Sequence, residues 1–255
     1  MDLKVLSFNV RTCDDANGHA IKERAPRAIE ILKKENADIM GFQEYTPETK
    51  KFFQNELSQD YEIFDKYRTE KPDTDWESEP IFWKKDKFRC LDKGFFWFSD
   101  TPEKESTGWD EIYDCYRICM WIILKEVKTG KSFIHMNTHL GFGNKGQCDS
   151  VKLIKKFIEN LGNLPAIITG DFNFSPDTEP YRIMTEDYTD VNVATVNDKT
   201  VTYHGYSVNP KKEQEHIDFC FVNDGVVSKD FKIITKTFDG KFPSDHYPIV
   251  ANVSL

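Results

Sequence analysis

Asp171 and Asn173 stand two residues apart in PAIITGDFNFSPDTEP, directly after the apolar run Ala166–Ile168. A carboxylate beside a buried strand is expensive to desolvate unless something pairs with it. The pair therefore marks either a strand that ends in solvent or the rim of a polar site. The same arrangement recurs along the chain. Asn9 closes LKVLSFNV, and Glu44 closes DIMGFQE. Asn137 and His139 lie in FIHMNTHL, and His216 and Asp218 in HIDFCFV. Asp245 and His246 open the last strand in PSDHYPIV. Side chains alternate across a strand, so residues two apart share a face and can aim at one place. Each group alone has an ordinary explanation: a turn cap, a solvated carboxylate, a hydrogen-bonded histidine. Their recurrence at the ends of separate strands is harder to dismiss.

The set suits hydrolysis of a phosphate ester. Glu44 and Asp245 are hard oxygen ligands of the kind Mg²⁺ takes, with Mn²⁺ as a substitute. Such a site needs only one or two protein carboxylates plus water. An amide such as Asn9 ligates a metal or binds phosphate without adding charge. Asp171 is of the type that accepts a proton from water, while Asn173 orients a phosphate oxygen. His139 and His246 are donors for phosphoryl oxygens, and Asp218 is a partner for an imidazole ring.

The elements that must position these groups follow from periodicity. Residues 3–10 alternate and are rich in β-branched and aromatic types, which predicts a strand. Ile21, Ala25, Ala28, Ile29 and Leu32 repeat at helical spacing, giving a helix near 22–36. Strand 38–44 follows. Thr46–Pro47 then starts a helix, with Thr as N-cap and Pro in the first turn. Further strands are predicted at 61–67, 80–84, 88–98, 117–127, 131–140, 165–171, 201–206, 216–223, 230–238 and 247–254. A helix fits 147–161, stopped by Gly162, and a short one fits 178–186. Lys128–Thr129–Gly130 reads as a hairpin turn. Strands outnumber helices, which predicts an α/β fold with two mixed sheets packed face to face and helices outside.

The chain has 255 residues, 39% hydrophobic, with no repeat or internal boundary, so residues 1–255 are expected to form a single domain. The polar stretches 69–79 and 99–114 read as loops leaving that domain. The formal net charge of −9 weighs against a general nuclease gripping long duplexes, which normally needs a basic stripe. Nucleic acid stays open as a substrate class, but charge does not point to it. Six cysteines without paired spacing read as reduced thiols rather than as a disulfide framework or zinc site. No membrane span is expected, and the N-terminus MDLKVLSFNV lacks the features of a signal peptide, so the expected location is cytoplasmic. Oligomeric state carries no sequence signal. Among the tryptophans, Trp83 and Trp97 read as core, whereas Trp76 and Trp109 are candidates for lining a pocket. His204 is a further candidate beside the site. His19 is expected to be exposed. His135 is expected on the opposite side of its strand from the NTHL pair, or as a structural partner.

Six segments in order, LSFNV, GFQE, NTHL, GDFN, HIDF and SDHYP, resemble the endonuclease/exonuclease/phosphatase family over nearly the whole chain. CYRICMW resembles a branch of small bacterial members similar to nocturnin-type enzymes. The resemblance implies a four-layer α/β sandwich of the deoxyribonuclease I type. It implies that Asn9, Glu44 and Asp245 surround a divalent metal. It also implies that Asp171 activates water with Asn173 beside it, that His246 meets the phosphate with its ring fixed by Asp218, and that His139 is a second phosphate-facing imidazole. Arg117 matches an arginine that contacts phosphate. Trp109 and His204 complete the expected substrate side. Three classes of function follow: a hydrolase of small or terminal phosphate esters, an exo- or endonuclease, and a phosphate-binding module without catalysis.

Overall fold

The computed structural model describes residues 1–71, 76–162, 164–208 and 215–255. The middle of loop 69–79 and most of loop 206–215 lie outside the described residues. In chain order the elements are β1 (Asp2–Asn9), α1 (Ile21–Glu35), β2 (Ile39–Gln43), α2 (Pro47–Leu57), β3 (Tyr61–Phe64) and β4 (Ile81–Lys84). Then follow β5 (Phe88–Trp97), β6 (Ile118–Glu126), β7 (Ser132–His139), α3 (Asn144–Asn160), β8 (Ala166–Asp171) and α4 (Glu179–Thr185). The last are β9 (Thr189–Asp190), α5 (Val191–Ala194), β10 (Asp218–Val222), β11 (Val227–Ile233) and β12 (Ile249–Ser254).

The strands form two six-stranded sheets, ordered β11-β12-β1-β2-β4-β3 and β5-β6-β7-β8-β10-β9. Both are mixed: β1/β2 and β7/β8 run parallel, and the other pairs antiparallel. Alternation along each strand explains the layers. On β1, Leu6 and Phe8 face outward and pack with Ala25, Ala28 and Leu32 of α1 and Phe53 of α2. On β8, Ala166 and Ile168 face the other way out and pack with Val151, Ile154 and Ile158 of α3 and Met184 of α4. The remaining faces meet between the sheets, where Leu3, Val5, Ile39, Phe133, Ile167 and Cys220 share one cluster. The expected four-layer sandwich is the observed one.

The layer between the sheets is apolar at one end and polar at the other. Reading each inward row toward the cleft, β1 runs Leu3, Val5, Ser7, Asn9, and β8 runs Ile167, Thr169, Asp171. Strand β7 runs Phe133, His135, Asn137, His139, and β10, running the other way, ends at Asp218. Burying one large apolar side chain is worth about 1.5–3 kcal/mol, so the apolar half offsets the cost of desolvating the polar half. Within the polar half, Asn137 ties the sheets together. Its Nδ2 donates to the carbonyls of Phe42 (2.8 Å) and Glu79 (3.1 Å). Its Oδ1 accepts from Gln43 Nε2 (2.7 Å) and Thr169 Oγ1 (3.1 Å). Gly41 makes room for this contact, since a Cβ there would fall 2.3 Å from Asn137 Oδ1.

Some expectations need correction. Residues 201–206 form no strand. Tyr203 makes only an isolated bridge to His246, and the chain turns at Gly205 and Tyr206, where φ is positive. The strand expected at 230–238 is β11, which starts earlier and leaves the sheet after Ile233. The two-residue β9 and four-residue α5 were not anticipated, because neither is long enough to show a period. His135 lies on the same face as Asn137 and His139, bonded at 3.1 Å to Thr169 Oγ1, and burial pushes its pKa down to about 3. His19 is buried against Tyr206, their ring centroids 4.0 Å apart. All six cysteines are free thiols. Among the described residues no helix is long and apolar enough to cross a membrane.

Candidate active site

The polar end of the inter-sheet layer opens into a cleft of about 670 Å³. Sheet register builds its floor. Asp171 on β8 stands opposite His139 on β7 and opposite Asp218 on β10. Asn9 reaches across from the other sheet, its Nδ2 donating at 2.9 Å both to Glu44 Oε1 and to Asp171 Oδ2. The turn before β12 brings in Asp245 and His246. His246 Nδ1 lies 2.9 Å from Asp218 Oδ2, and its Nε2 lies 3.6 Å from Asp171 Oδ2. Asn9 thus reaches the Asp171 carboxylate from 162 positions away.

Three groups at the floor hold left-handed backbone: Arg11 (φ 62°), Glu44 (φ 55°) and Asn173 (φ 51°). Asparagine adopts this region readily, but glutamate and arginine seldom do. Each sits where a strand must stop and turn its side chain along the cleft. Asn173 stays in place because its N–H donates to Asp171 Oδ1 (3.0 Å) and its Nδ2 to the carbonyl of Leu140 (2.8 Å).

Electrostatics separates the groups into roles. Burial, reinforced by nearby Asp218, raises the Asp171 pKa above the usual carboxylate range. Burial opposes charge on His246, but Asp218 and Asp171 together raise its pKa, so the ring is an imidazolium at neutral pH. Burial lowers the pKa of His139, as do the nearby Arg117, Arg68 and His246, so that ring is neutral. Burial also opposes charge on Glu44, but Asn9 and the Thr12 N–H, 2.8 Å away, hold its pKa below the ordinary value. Burial and the charge of Glu44 raise the pKa of Asp245.

Two groupings could take a metal. Ligand atoms of Asp171, Asp218 and His246 lie within 4.8 Å of one another. Both His246 nitrogens, however, already face carboxylates, which suits a proton better than a metal. The carboxylates of the half-buried Glu44 and the buried Asp245 are hard donors, and each raises the need for positive charge at the other. The Arg11 guanidinium already sits among them, 3.5 Å from Asp245, 3.9 Å from Glu44 and 3.1 Å from Asp15. This second grouping fits a divalent cation.

The structure brings together Asn9, Glu44, His139, Asp171, Asn173, Asp218, Asp245 and His246. Asn9 bridges Glu44 and Asp171 through Nδ2, and its Oδ1 accepts the Arg11 N–H at 3.0 Å. Arg117 lines the cleft. Its Nε binds Asp110 at 3.0 Å, while its buried Nη1 has no protein partner. His204 does not line the cleft; it is buried between Tyr247 and Phe242, with centroids 4.0 and 4.4 Å away. Trp109 is also displaced from its expected place, packing against the outer core beside α3. His216 binds the Thr200 carbonyl at 3.1 Å, away from the lining. Sequence reasoning missed Arg11 and Arg68, both of which line the cleft. The position of Arg11, two residues past Asn9, was a usable signal.

The profile of the family described as Endonuclease/Exonuclease/phosphatase matches residues 6–246. A solved mannosyl-6-phosphatase from Bacteroides thetaiotaomicron is 29% identical with a TM-score of 0.90, covering 99% of this chain and 100% of that one. A second solved protein of the same organism, titled an endonuclease/exonuclease/phosphatase family protein, is 29% identical with a TM-score of 0.90, covering 99% and 97%. An uncharacterized protein, L388 of Acanthamoeba polyphaga mimivirus, is 28% identical over 184 residues, 67% of each chain.

Proposed function

The chain belongs to the endonuclease/exonuclease/phosphatase family, whose chemistry is phosphate-ester hydrolysis, and from that premise we propose that it removes phosphate from small hydroxylated molecules, with sugar phosphates the first class to test. The observation that carries this reading is the convergence on Asp171. One carboxylate is touched by groups from both sheets, on the floor of one cleft, with an imidazolium beside it.

A metal held by Glu44 and Asp245, Mg²⁺ or Mn²⁺, would neutralise phosphoryl charge and stabilise the leaving oxygen. The protein's own groups do the rest. Asp171 takes the proton from water as the water oxygen attacks phosphorus and the bond from phosphorus to the substrate oxygen breaks, the departing oxygen taking its proton from solvent. Its raised pKa makes it a stronger base, and the bond to Asn9 fixes its direction. His246 donates from Nε2 to a phosphoryl oxygen, while Asp218 holds the ring and its charge. His139 donates from the opposite side. Arg117 offers its uncommitted Nη1 to a further phosphate oxygen.

Cleft chemistry supports a small substrate. Glu77 and Glu215 line it, and these acids repel a polyanionic backbone but accept hydrogen bonds from sugar hydroxyls. Tyr113, Phe142 and Tyr203 supply apolar faces for a sugar ring. The likeness to a mannosyl-6-phosphatase points the same way. One layer shared by both sheets supports a single domain, and free thiols suit the cytoplasm.

The test is phosphate release from a panel of sugar phosphates, nucleotides and oligonucleotides, with Mg²⁺, with Mn²⁺ and with chelator, using Asp171→Ala as the blank. We expect metal-dependent turnover greatest on a sugar phosphate. Turnover greatest on oligonucleotides would overturn the substrate class, and turnover unaffected by chelator would overturn the metal's part.

A further inference from the structure

We infer that Arg68 is a positioning residue for His139, holding the ring as the neutral tautomer with its proton on Nε2, so that the two cleft histidines play unequal parts. The inference deepens the phosphate-ester reading and rests on it for its catalytic consequence. Its structural content stands separately.

Arg68 lies between β3 and β4 and is buried. Its backbone is anchored at both ends: the N–H donates to the Glu77 carbonyl at 3.0 Å, and the carbonyl accepts the Trp97 indole N–H at 2.7 Å. Nε donates to Glu79 Oε1 at 2.6 Å, and Nη1 lies 2.8 Å from Glu77 Oε2. Nη2 lies 3.0 Å from His139 Nδ1. A guanidinium has donors only and does not lose its proton in a protein. His139 Nδ1 must therefore accept, which leaves the ring proton on Nε2. That nitrogen is 3.5 Å from Asp171 Oδ2.

At His246 the same ring atom has the opposite duty. Its Nδ1 faces Asp218 Oδ2 at 2.9 Å and donates. A carboxylate behind one ring keeps it charged; a guanidinium behind the other keeps it neutral while still presenting an N–H. The charged groups around His139 are Arg68 before β4, Arg117 before β6, His246 before β12 and Asp171 on β8. The cleft thus gains a second imidazole donor that is itself uncharged. Without Arg68, the His139 proton is free to move to Nδ1, turning a lone pair toward an anionic substrate.

The test is the imidazole ¹⁵N spectrum of metal-free protein near pH 7, with His139→Gln identifying the signals. We expect the neutral, Nε2-protonated pattern; an Nδ1-protonated or doubly protonated ring would overturn the inference. In Arg68→Met/Glu79→Gln, which removes one charge of each sign, His139 should show mixed tautomers. Its kcat should fall about 10- to 100-fold with KM changed less than about threefold. A folded variant with unchanged tautomer and unchanged kcat would also overturn it. If the variant fails to fold, the wild-type spectrum still decides. Absence of turnover on every phosphate ester would refute the proposed function and leave the spectrum's answer intact.

Discussion

Asn137 and Asp171 occupy neighbouring strands between the same two sheets, two steps apart in register, and both are buried. Asn137 bonds the neutral Gln43 and Thr169, which in turn meet Ser7 and a His135 kept uncharged by burial. Around Asp171, besides the amides of Asn9 and Asn173, stand the chargeable His139, His246 and Asp218, the pKa values are pushed apart, and the space beyond is open. Burial and polarity are common to both regions, so neither identifies a site. What distinguishes the second is charge that the fold compensates only in part, aimed at a cleft. The first region holds the sheets in register; the second is where we propose that the chemistry takes place.

Exchanging damage between the regions is the sharpest way to break this comparison. Asp171→Ala or His246→Ala should cost about 100- to 1,000-fold in kcat, about 3–4 kcal/mol of transition-state stabilisation, with each variant still folded in the absence of urea. Steady-state kinetics beside a urea melt checks both halves, and near-normal turnover would remove these residues from the mechanism. Asn137→Ala should do the reverse. It strands Gln43 and two carbonyls, costing about 2–3 kcal/mol of stability, while turnover of the protein that stays folded holds within a few-fold.

A subtler measurement uses pH. The folded pKa of Asp171 lies above its unfolded value, so its contribution to stability is present at low pH and lost as pH rises through the folded value. Asp171→Asn should therefore stabilise the metal-free protein by about 1 kcal/mol at pH 8, and the gain should vanish below the ordinary carboxylate range. Melting temperatures across pH 3–9 would show it, and a constant difference would refute the assignment. The acid limb of kcat/KM should lie above that same range. The smallest effect is expected at Trp109→Phe, outside both regions, where KM should stay within about twofold.

Much of this was legible in the sequence, because strand alternation writes itself into residue types. LKVLSFNV and AIITGD each turn from apolar to polar along one face, and that turn located the cleft floor. Arg68 was not legible, since its partner His139 is 71 positions away and nothing local distinguishes it from a solvated loop arginine. The strand expected at 201–206 failed because Val201 and Thr202 have strand propensity, but the N–H groups of His204 and Gly205 both bond the Asp245 carbonyl and the chain turns at Gly205 and Tyr206. Trp109 and His204 were misplaced for the same reason: aromatic residues near a site in sequence can be anchors behind its wall.

The left-handed backbone at Arg11, Glu44 and Asn173 bears on how this enzyme would respond to engineering. Glycine would relax the backbone by about 1 kcal/mol at Arg11 and at Glu44, and by less at Asn173. A screen that selects only for heat resistance would be drawn to them, and each improvement it found would come from dismantling the floor of the cleft. Libraries meant to harden the protein should leave these positions fixed and look to the helices.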